Sequence, residues 1–249
     1  MIGCIIQART GSTRLPKKVL KILDKNNTVL DFVLNQIKKS TLIDKLIVAT
    51  TILPEDDVIE EHVKKLGIDI FRGDSVDVLD RYYRCAEKFH FDTIVRITSD
   101  CPLIDPEITD NIIKNFDSEK YDYVCNTQPR TFPQGTETEV FSFTALHDAW
   151  KNAQLPSERE HVTPFFFNNS NHFRILNVEN DTDLSSLRWC IDREEDLMLL
   201  RKLTSKIHNR PILTKHILGL VHSEPKLFEI NKHISVLEGY QKSLKNDVD

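Results

Sequence analysis

Apolar segments of strand length alternate with amphipathic helical segments along the first half of this chain. The strand-like segments are residues 45–51, 68–71 and 93–99, and the helix-like segments are residues 29–40, 56–66, 76–89 and 107–116. Because a crossover between two parallel strands usually contains a helix, this alternation predicts a parallel sheet. The predicted fold class is α/β, a doubly wound and mostly parallel sheet, in which ligands bind at the carboxyl ends of the strands.

The alternation stops near residue 120. Further strands are expected at residues 121–126, 139–142, 173–178 and 187–191, with a helix at 143–153 and mostly helical sequence from residue 194. No linker or internal repeat divides the 249 residues. The sequence therefore predicts a single domain whose second half supplies a substrate pocket and a subunit contact.

The composition argues against several classes of partner. The formal net charge of −5 lacks the basic character that nucleic-acid binding usually needs. No apolar run approaches the roughly 20 residues that span a bilayer, and no basic region precedes the first apolar stretch as in a signal peptide. The 5 cysteines are widely spread and form no CxxC pair, which argues against a zinc site. We expect a cytoplasmic protein with reduced thiols and no nucleic-acid or membrane partner.

A short basic loop follows the first apolar run, the segment CII at residues 4–6. The loop carries small and cationic residues, namely Arg9, Gly11, Ser12, Arg14 and Lys18. Cations gathered after a buried strand are costly unless an anion neutralises them, and both arginine forks and a mobile lysine suit phosphate oxygens. The loop lacks the Walker pattern and the three-glycine dinucleotide fingerprint. It predicts a polyphosphate site built largely from side chains, and a solvated basic turn is the alternative.

Two aspartates each follow directly on an apolar, strand-like run. Asp100 follows residues 93–99, and Asp192 follows residues 187–191. Mg²⁺ on a nucleotide is usually held by one or two carboxylates together with phosphate oxygens, which makes a strand-end aspartate a candidate ligand. The alternative for Asp100 is a helix cap or turn residue, but Asp105, directly before a proline, fits the cap better.

The loop pattern R-x-G-S-x-R-L-P-x-K at residues 9–18 resembles the signature loop of nucleotidyltransferases that activate acidic sugars with CTP. The chain resembles the spore-coat-polysaccharide-type cytidylyltransferase family and is more distantly similar to the Kdo and sialic acid cytidylyltransferases. It departs from their pattern at Lys17, where relatives often have glycine. The resemblance extends to D-x-x-E-D-L at residues 192–197 and to EINKHISVLEGYQKSL at residues 229–244.

This resemblance implies a Rossmann-like fold of the nucleotide-diphospho-sugar transferase type. It implies a nucleotide-binding half (1–120), a small α+β insertion for substrate binding and dimerisation (121–192) and a helical C-terminal part (193–249). It also implies Mg²⁺, for which Mn²⁺ can substitute, with Asp100 and Asp192 as the metal ligands. The catalytic residues implied are Arg9, Arg14, Lys18, Asp100 and Asp192.

The resemblance, together with the position of several residues at strand ends, implies two further sets of binding residues. The nucleotide-binding residues are Ala8, Arg9, Thr10, Gly11, Ser12, Arg14, Lys18, Thr50, Thr51, Asp80, Arg81, Thr98 and Ser99. The substrate-binding residues are Asn126, Gly135, Glu137, Glu139, Arg159, Glu160 and His161. An exposed helical ion pair is the alternative for Asp80-Arg81, and a capped helix start at Ser157 is the alternative for residues 158–163. His161 fits either a general base or a hydrogen-bonding contact.

The expected function is transfer of CMP from CTP to an acidic or phosphorylated small molecule, with release of pyrophosphate, in cell-surface polysaccharide biosynthesis. The acceptors that fit are a 2-keto-3-deoxy sugar acid, a sugar or polyol phosphate, and a smaller phospho-acid. A homodimer is expected. One alternative is a metal-dependent glycosyltransferase of the same fold, although only Asp100 stands where that class often has an Asp-x-Asp pair. The other is a non-catalytic nucleotide-binding regulator, which would not need both aspartates.

Overall fold

A central seven-stranded sheet forms the framework of the computed structural model, which describes residues 1–234, 238–245 and 247. The strands are β1 (Ile2–Gln7), β2 (Ile22–Asp24), β3 (Asn27–Thr28), β4 (Lys45–Thr51), β5 (Asp69–Gly73), β6 (Thr93–Thr98), β7 (Tyr123–Cys125), β8 (Glu139–Ser142) and β9 (Ile175–Asn177). The order across the sheet is β5-β4-β1-β6-β8-β7-β9, and β2 pairs with β3 in a separate ribbon. The sheet is parallel from β5 to β6, while β8 is antiparallel to both of its neighbours.

The chain changes the direction in which it adds strands beside β1. It first extends the sheet through β4 to β5 and then returns to place β6 on the other side of β1. The loops after β1 and β6 therefore leave the sheet on either side of a topological switch point, which is where open α/β sheets bind ligands. The predicted doubly wound and mostly parallel sheet is confirmed.

Helices pack on both faces of this sheet. They are α1 (Val29–Ile37), α2 (Asp57–Lys65), α3 (Val78–Phe89), α4 (Pro106–Asn115), α5 (Phe143–Asn152), α6 (Pro156–His161), α7 (Pro164–Asn168), α8 (Glu194–Lys206), α9 (Thr214–Ser223) and α10 (Glu238–Lys245). Asp105 caps α4 by accepting a hydrogen bond from the Glu107 amide at 2.8 Å, which confirms the predicted cap.

The core lies in two layers because successive strand side chains point to opposite faces. On one face Ile5 of β1 packs in a buried cluster with Leu79 of α3 and with residues of α5. On the other face Ile6 packs in a second cluster with Leu30 of α1 and Ile112 of α4. A third apolar cluster, which includes residues of α8 and α9, lies beneath the C-terminal part of the described chain.

Two predictions of local structure are wrong. Residues 187–191 do not form a strand, and only an isolated bridge joins Arg188 to Gln134. Three backbone hydrogen bonds hold the segment: the Trp189 amide donates to the Gln134 carbonyl at 2.8 Å, the Gln134 amide to the Leu187 carbonyl at 2.9 Å and the Ile191 amide to the Asp100 carbonyl at 2.8 Å. Ser157 is not an N-cap, because α6 already begins at Pro156, whose fixed φ suits the first helical position.

The predicted division of the chain into parts 1–120, 121–192 and 193–249 stays a prediction. In the last part, residues 235–237, 246, 248 and 249 lie outside the described residues. Residues 235–237 belong to the C-terminal motif 229–244. None of the helices in the described parts of the chain combines the length and the apolar character that a membrane span requires.

Candidate active site

The basic loop after β1 is folded back on itself by its own backbone. The Thr10 carbonyl accepts hydrogen bonds from the Ser12 amide at 2.8 Å and from the Lys17 amide at 3.0 Å. Lys17 adopts a left-handed conformation, with φ of 55°, at the position where relatives of the implied family often have glycine. The loop starts at Ala8, whose amide donates to the Ala49 carbonyl of β4 at 3.0 Å. The loop is therefore attached to the carboxyl end of the neighbouring strand.

Asp56, a buried residue that the sequence analysis missed, ties this loop to β4. Its Oδ1 accepts hydrogen bonds from the Thr10 amide and the Thr10 hydroxyl, both at 2.7 Å. Its Oδ2 accepts from the Thr51 hydroxyl. The hydroxyl protons of Thr10 and Thr51 are thus directed to Asp56, which shapes the loop, and their predicted contact with a nucleotide stays a prediction. Asp56 directly precedes α2, so its position alone indicates only a helix cap.

Lys18 brings the two predicted metal ligands together. Its Nζ lies 2.8 Å from Asp100 Oδ2 and 3.0 Å from Asp192 Oδ1, so these two oxygens are at most 5.8 Å apart, the sum of the two distances. The Ile191 carbonyl accepts a third hydrogen bond from the same ammonium at 2.8 Å. The Ile191 amide donates to the Asp100 carbonyl at 2.8 Å. The predicted convergence of Asp100 and Asp192 is present, although Asp192 does not end a strand.

Asp192 is also held by two arginines. Arg14 Nη2 lies 2.6 Å from Asp192 Oδ1, and Arg188 Nη2 lies 2.9 Å from Asp192 Oδ2. Arg188 is buried, and its Nε donates to Asp196 Oδ1 at 3.0 Å while its Nη1 donates to Gln134 Oε1 at 2.9 Å. The sequence analysis missed Arg188, although a charged residue in the apolar run RWCI was a signal for a buried ion pair.

The pKa values of the central pair keep both groups charged. Burial alone would lower the pKa of Lys18, but the attraction of Asp100 and Asp192 outweighs it and raises that pKa above its usual value. Burial alone would raise the pKa of Asp100, but the nearby Lys18 ammonium holds it well below its ordinary range. The pair is therefore an ammonium and a carboxylate at neutral pH.

The oxygen atoms around Lys18 suit a hard divalent cation. Two carboxylates and one backbone carbonyl converge on a single cationic atom, and Mg²⁺ prefers oxygen ligands. No group of three or more His, Cys, Asp or Glu side chains within the described residues could hold a metal by itself. An ion bound by Asp100 and Asp192 would therefore complete its coordination with water or with oxygens of a bound nucleotide.

Arg81, in α3, is a buried cation. It is only 2 % exposed, which rules out an exposed ion pair for Arg81 itself, and its Nε and Nη1 have no hydrogen-bond partner among the described residues. Burial lowers the pKa of Arg81, and the nearby Arg9 lowers it further. Its neighbour Asp80 does form the helical ion pair that the sequence allowed, with Arg84 at 3.4 Å, and also accepts from Trp150 Nε1 at 2.7 Å.

The remaining predicted nucleotide-binding residues line the same edge of the sheet. Thr50, in β4, is buried, and its hydroxyl has no partner in the described part of the chain. Thr98, at the end of β6, lies with its hydroxyl 3.3 Å from Cys101 Sγ. Ser99 donates its amide to the Gln7 carbonyl at 3.2 Å. At Gly11 an added Cβ would make only an ordinary contact, 3.5 Å from Glu55, so packing within the protein does not require this glycine.

Two of the predicted substrate-binding residues stabilise the turn between β7 and β8. Asn126 bridges it, with Nδ2 3.0 Å from the Thr136 carbonyl and Oδ1 2.9 Å from the Thr138 amide. Gly135 has φ of 102°, and a Cβ there would lie 2.8 Å from the Trp189 backbone, so only glycine fits. These contacts account for both residues without a substrate.

Glu137 and Glu139 are neutralised by arginines. Glu137 pairs with Arg130 at 2.5 Å and also lies 3.6 Å from Cys101 Sγ, beside Asp100. Glu139 is buried and pairs with Arg96. Their predicted contact with a substrate stays a prediction.

The α6 residues lie next to the basic loop. Arg9 Nη2 is 3.8 Å from Glu160 Oε1, which places the two predicted binding regions side by side. His161 Nε2 lies 2.9 Å from the Ser243 hydroxyl of α10. Arg159 points away from this contact, because it pairs with Asp77, through Nε at 2.9 Å, and with the Trp150 carbonyl.

Comparison with known proteins agrees with this geometry. The sequence model of the family described as Cytidylyltransferase matches residues 3–234. The chain belongs to this family. Its members are CTP-using nucleotidyltransferases, so the chain is an enzyme of this type, which favours nucleotidyl transfer over the glycosyltransferase and regulator alternatives.

Individual relatives give the same result. The chain is 33% identical to the spore coat polysaccharide biosynthesis protein SpsF of Bacillus subtilis over 231 residues, which cover 89% of this chain and 94% of that protein. It is 30% identical to a 3-deoxy-manno-octulosonate cytidylyltransferase of Hydrogenovibrio crunogenus over 142 residues, 55% of each chain. A cytidylyltransferase structure from Leptospira borgpetersenii superposes with a TM-score of 0.88 at 32% identity, covering 94% of this chain and 98% of that one.

Proposed function

We propose that this enzyme transfers CMP from CTP to an acidic or phosphorylated small-molecule acceptor in the biosynthesis of a cell-surface polysaccharide. The observation that carries the proposal is the meeting of Arg14 and Lys18 with Asp100 and Asp192 at the switch point of the sheet. An oxygen of the acceptor attacks the α-phosphorus of CTP, the bond to the β-phosphate breaks, and pyrophosphate leaves.

The residues divide the work by charge. Arg14 and Lys18 take up the negative charge that develops on the leaving pyrophosphate, which is the main electrostatic demand of phosphoryl-type transfer. Asp100 and Asp192 would hold Mg²⁺, which would supply positive charge to neutralise phosphate oxygens during the attack. Arg81 offers two buried N–H groups without a partner in the described protein, and these suit an acceptor atom of the nucleotide.

The acceptor side lies at Arg9, Glu160 and His161. The side chain of Arg9 is 47% exposed and its contact with Glu160 is long, at 3.8 Å, so the guanidinium can turn to an anionic group of an acceptor. Burial lowers the pKa of His161, which leaves a neutral imidazole able to accept a proton. The names of two relatives, a spore coat polysaccharide biosynthesis protein and a 3-deoxy-manno-octulosonate cytidylyltransferase, support a sugar acid or a sugar phosphate. A homodimer and a cytoplasmic location stay predictions from the sequence.

A pyrophosphate-release screen tests this function. The four nucleoside triphosphates are combined with a panel of sugar acids, sugar phosphates and polyol phosphates in the presence of Mg²⁺. We expect release with CTP and one class of acidic acceptor, and its loss in Asp192→Asn. Glu194→Gln is the matched control, because it removes an exposed carboxylate two residues away that pairs only with Lys21 in the described structure. Release with a different nucleotide but not with CTP would contradict the proposal.

A further inference from the structure

The Lys18 ammonium occupies the place where the predicted metal ligands converge. Its side chain is 13% exposed, and its three hydrogen bonds run to Asp100, Asp192 and the Ile191 carbonyl at 2.8–3.0 Å. A divalent ion shared by the same two carboxylates would lie between them, where the Lys18 ammonium already engages one oxygen of each. Lys18 and such an ion therefore compete for one position.

The charges around this position are already balanced. Within the part of the chain that the structure describes, three linked carboxylates, Asp100, Asp192 and Asp196, face three cationic side chains, Arg14, Lys18 and Arg188. Both carboxylate oxygens of Asp192 accept hydrogen bonds from these cations. A free Mg²⁺ ion would have to lose hydration water and displace an ammonium while meeting almost no net negative charge.

A triphosphate changes that balance. Lysine is a point charge on a flexible four-carbon stem, so its ammonium can turn from carboxylate to phosphate without a change of backbone. Arg14 starts from the same loop and is partly exposed, and its guanidinium suits phosphate in the same way. Once both cations follow the phosphates, Asp100 and Asp192 are left with excess negative charge.

We propose that Lys18 is an internal counter-ion that keeps the Asp100–Asp192 site closed to divalent ions until a nucleoside triphosphate draws it away. This inference rests on the proposed function. It makes Lys18 a residue that sets the order of binding as well as a contact for the leaving group. Metal and nucleotide then bind with positive coupling, and by linkage each raises the affinity for the other.

Titration of the full-length protein with Mn²⁺ in the absence of nucleotide tests the inference, with free Mn²⁺ followed by electron paramagnetic resonance. We expect weak binding to the wild type and at least about tenfold tighter binding to Lys18→Met, which keeps the length of the side chain but removes its charge. Lys21→Met is the matched control, because it removes the same charge from the same segment but pairs with exposed Glu194. It should bind Mn²⁺ as the wild type does, and Lys18→Met combined with Asp192→Asn should lose the gain.

Two results would overturn the inference. One is equal Mn²⁺ affinity in Lys18→Met and wild type, with circular dichroism showing that both are folded. The other needs no Lys18 variant: tight, stoichiometric Mn²⁺ binding to the nucleotide-free wild type that Asp192→Asn abolishes. If either result is obtained and the wild type still releases pyrophosphate from CTP, the proposed function stands and the inference about Lys18 alone fails. A gain of Mn²⁺ affinity in Lys18→Met, together with a wild type that releases pyrophosphate from no nucleotide, would instead overturn the function alone.

Discussion

Arg188 and Asp196 form a buried ion pair, with Arg188 Nε 3.0 Å from Asp196 Oδ1. Asp196 Oδ2 in turn accepts the Asp192 amide at 2.8 Å and the Arg193 amide at 3.0 Å. Asp196 is fully buried, and burial alone would raise its pKa, but the hydrogen bond and charge of Arg188 bring that pKa below its ordinary value. This pair, rather than a strand ladder, fixes the backbone from which Asp192 reaches Lys18.

Arg188→Met should therefore destabilise the fold strongly. Removing one partner of a buried pair leaves an uncompensated charge, at a cost of about 3–5 kcal/mol. Urea unfolding measures this loss. Lys206→Met is the control, because its pair with Glu224 is largely exposed and should contribute no more than about 1 kcal/mol. A loss in Arg188→Met as small as that of the control would show that Asp196 is not held by this arginine.

Local patterns in the sequence were sufficient for most of the fold. Residues 45–51 form β4 with the predicted bounds, and residues 139–142 form β8 in the same way. Asp105 caps α4 as predicted, because the signal lies in the directly following proline and helix. These elements are determined by side chains only a few positions apart, which is the range over which periodicity and capping act.

The errors arise where distant contacts override the local pattern. Residues 187–191 have the composition of a strand, but Arg188 places a charge inside the run, and its partners lie at Gln134 and Asp196. In the same way Asp56 looks like a helix cap, yet it bonds Thr10, which is 46 positions away. No spacing rule connects such residues, so the groups that hold the site could not be predicted. The convergence of Asp100 and Asp192 could be predicted only because the family resemblance names both as metal ligands.

Asp56→Ala should loosen the basic loop. The substitution removes the acceptor of three hydrogen bonds, from the Thr10 amide, the Thr10 hydroxyl and the Thr51 hydroxyl. Each buried donor left unsatisfied costs about 1–3 kcal/mol, so we expect a stability loss of at least about 2 kcal/mol and a higher KM for CTP. Steady-state kinetics and urea unfolding test both effects. In the neighbouring control Asp57→Ala, which loses only an exposed contact to Arg72, the KM should not change.

Asp100→Asn and Asp192→Asn should each abolish metal-dependent turnover while keeping the fold. The amide is nearly isosteric with the carboxylate, but it removes the charge that an ion shared by both residues needs. Residues that act as one unit are strongly non-additive, so the double variant should lose little more than either single variant. Pyrophosphate release under single-turnover conditions measures this. Losses that multiply in the double variant would mean that the two aspartates act independently.

The stability of the protein should fall between about pH 7.5 and pH 5.5 through His161. Burial is the main cause that lowers the pKa of His161 from its ordinary 6.5, against the opposing attraction of Glu160. As the pH falls through 6.5, the unfolded chain therefore binds a proton that the folded His161 still rejects, and the folded state loses free energy relative to it. His161→Gln should flatten this part of the stability profile, measured by urea unfolding at a series of pH values, whereas the exposed control His208→Gln should leave the contribution of His161 in place. If His161→Gln kept the full slope of the wild type over this range, burial beside Ser243 and Tyr240 would not keep the folded imidazole neutral.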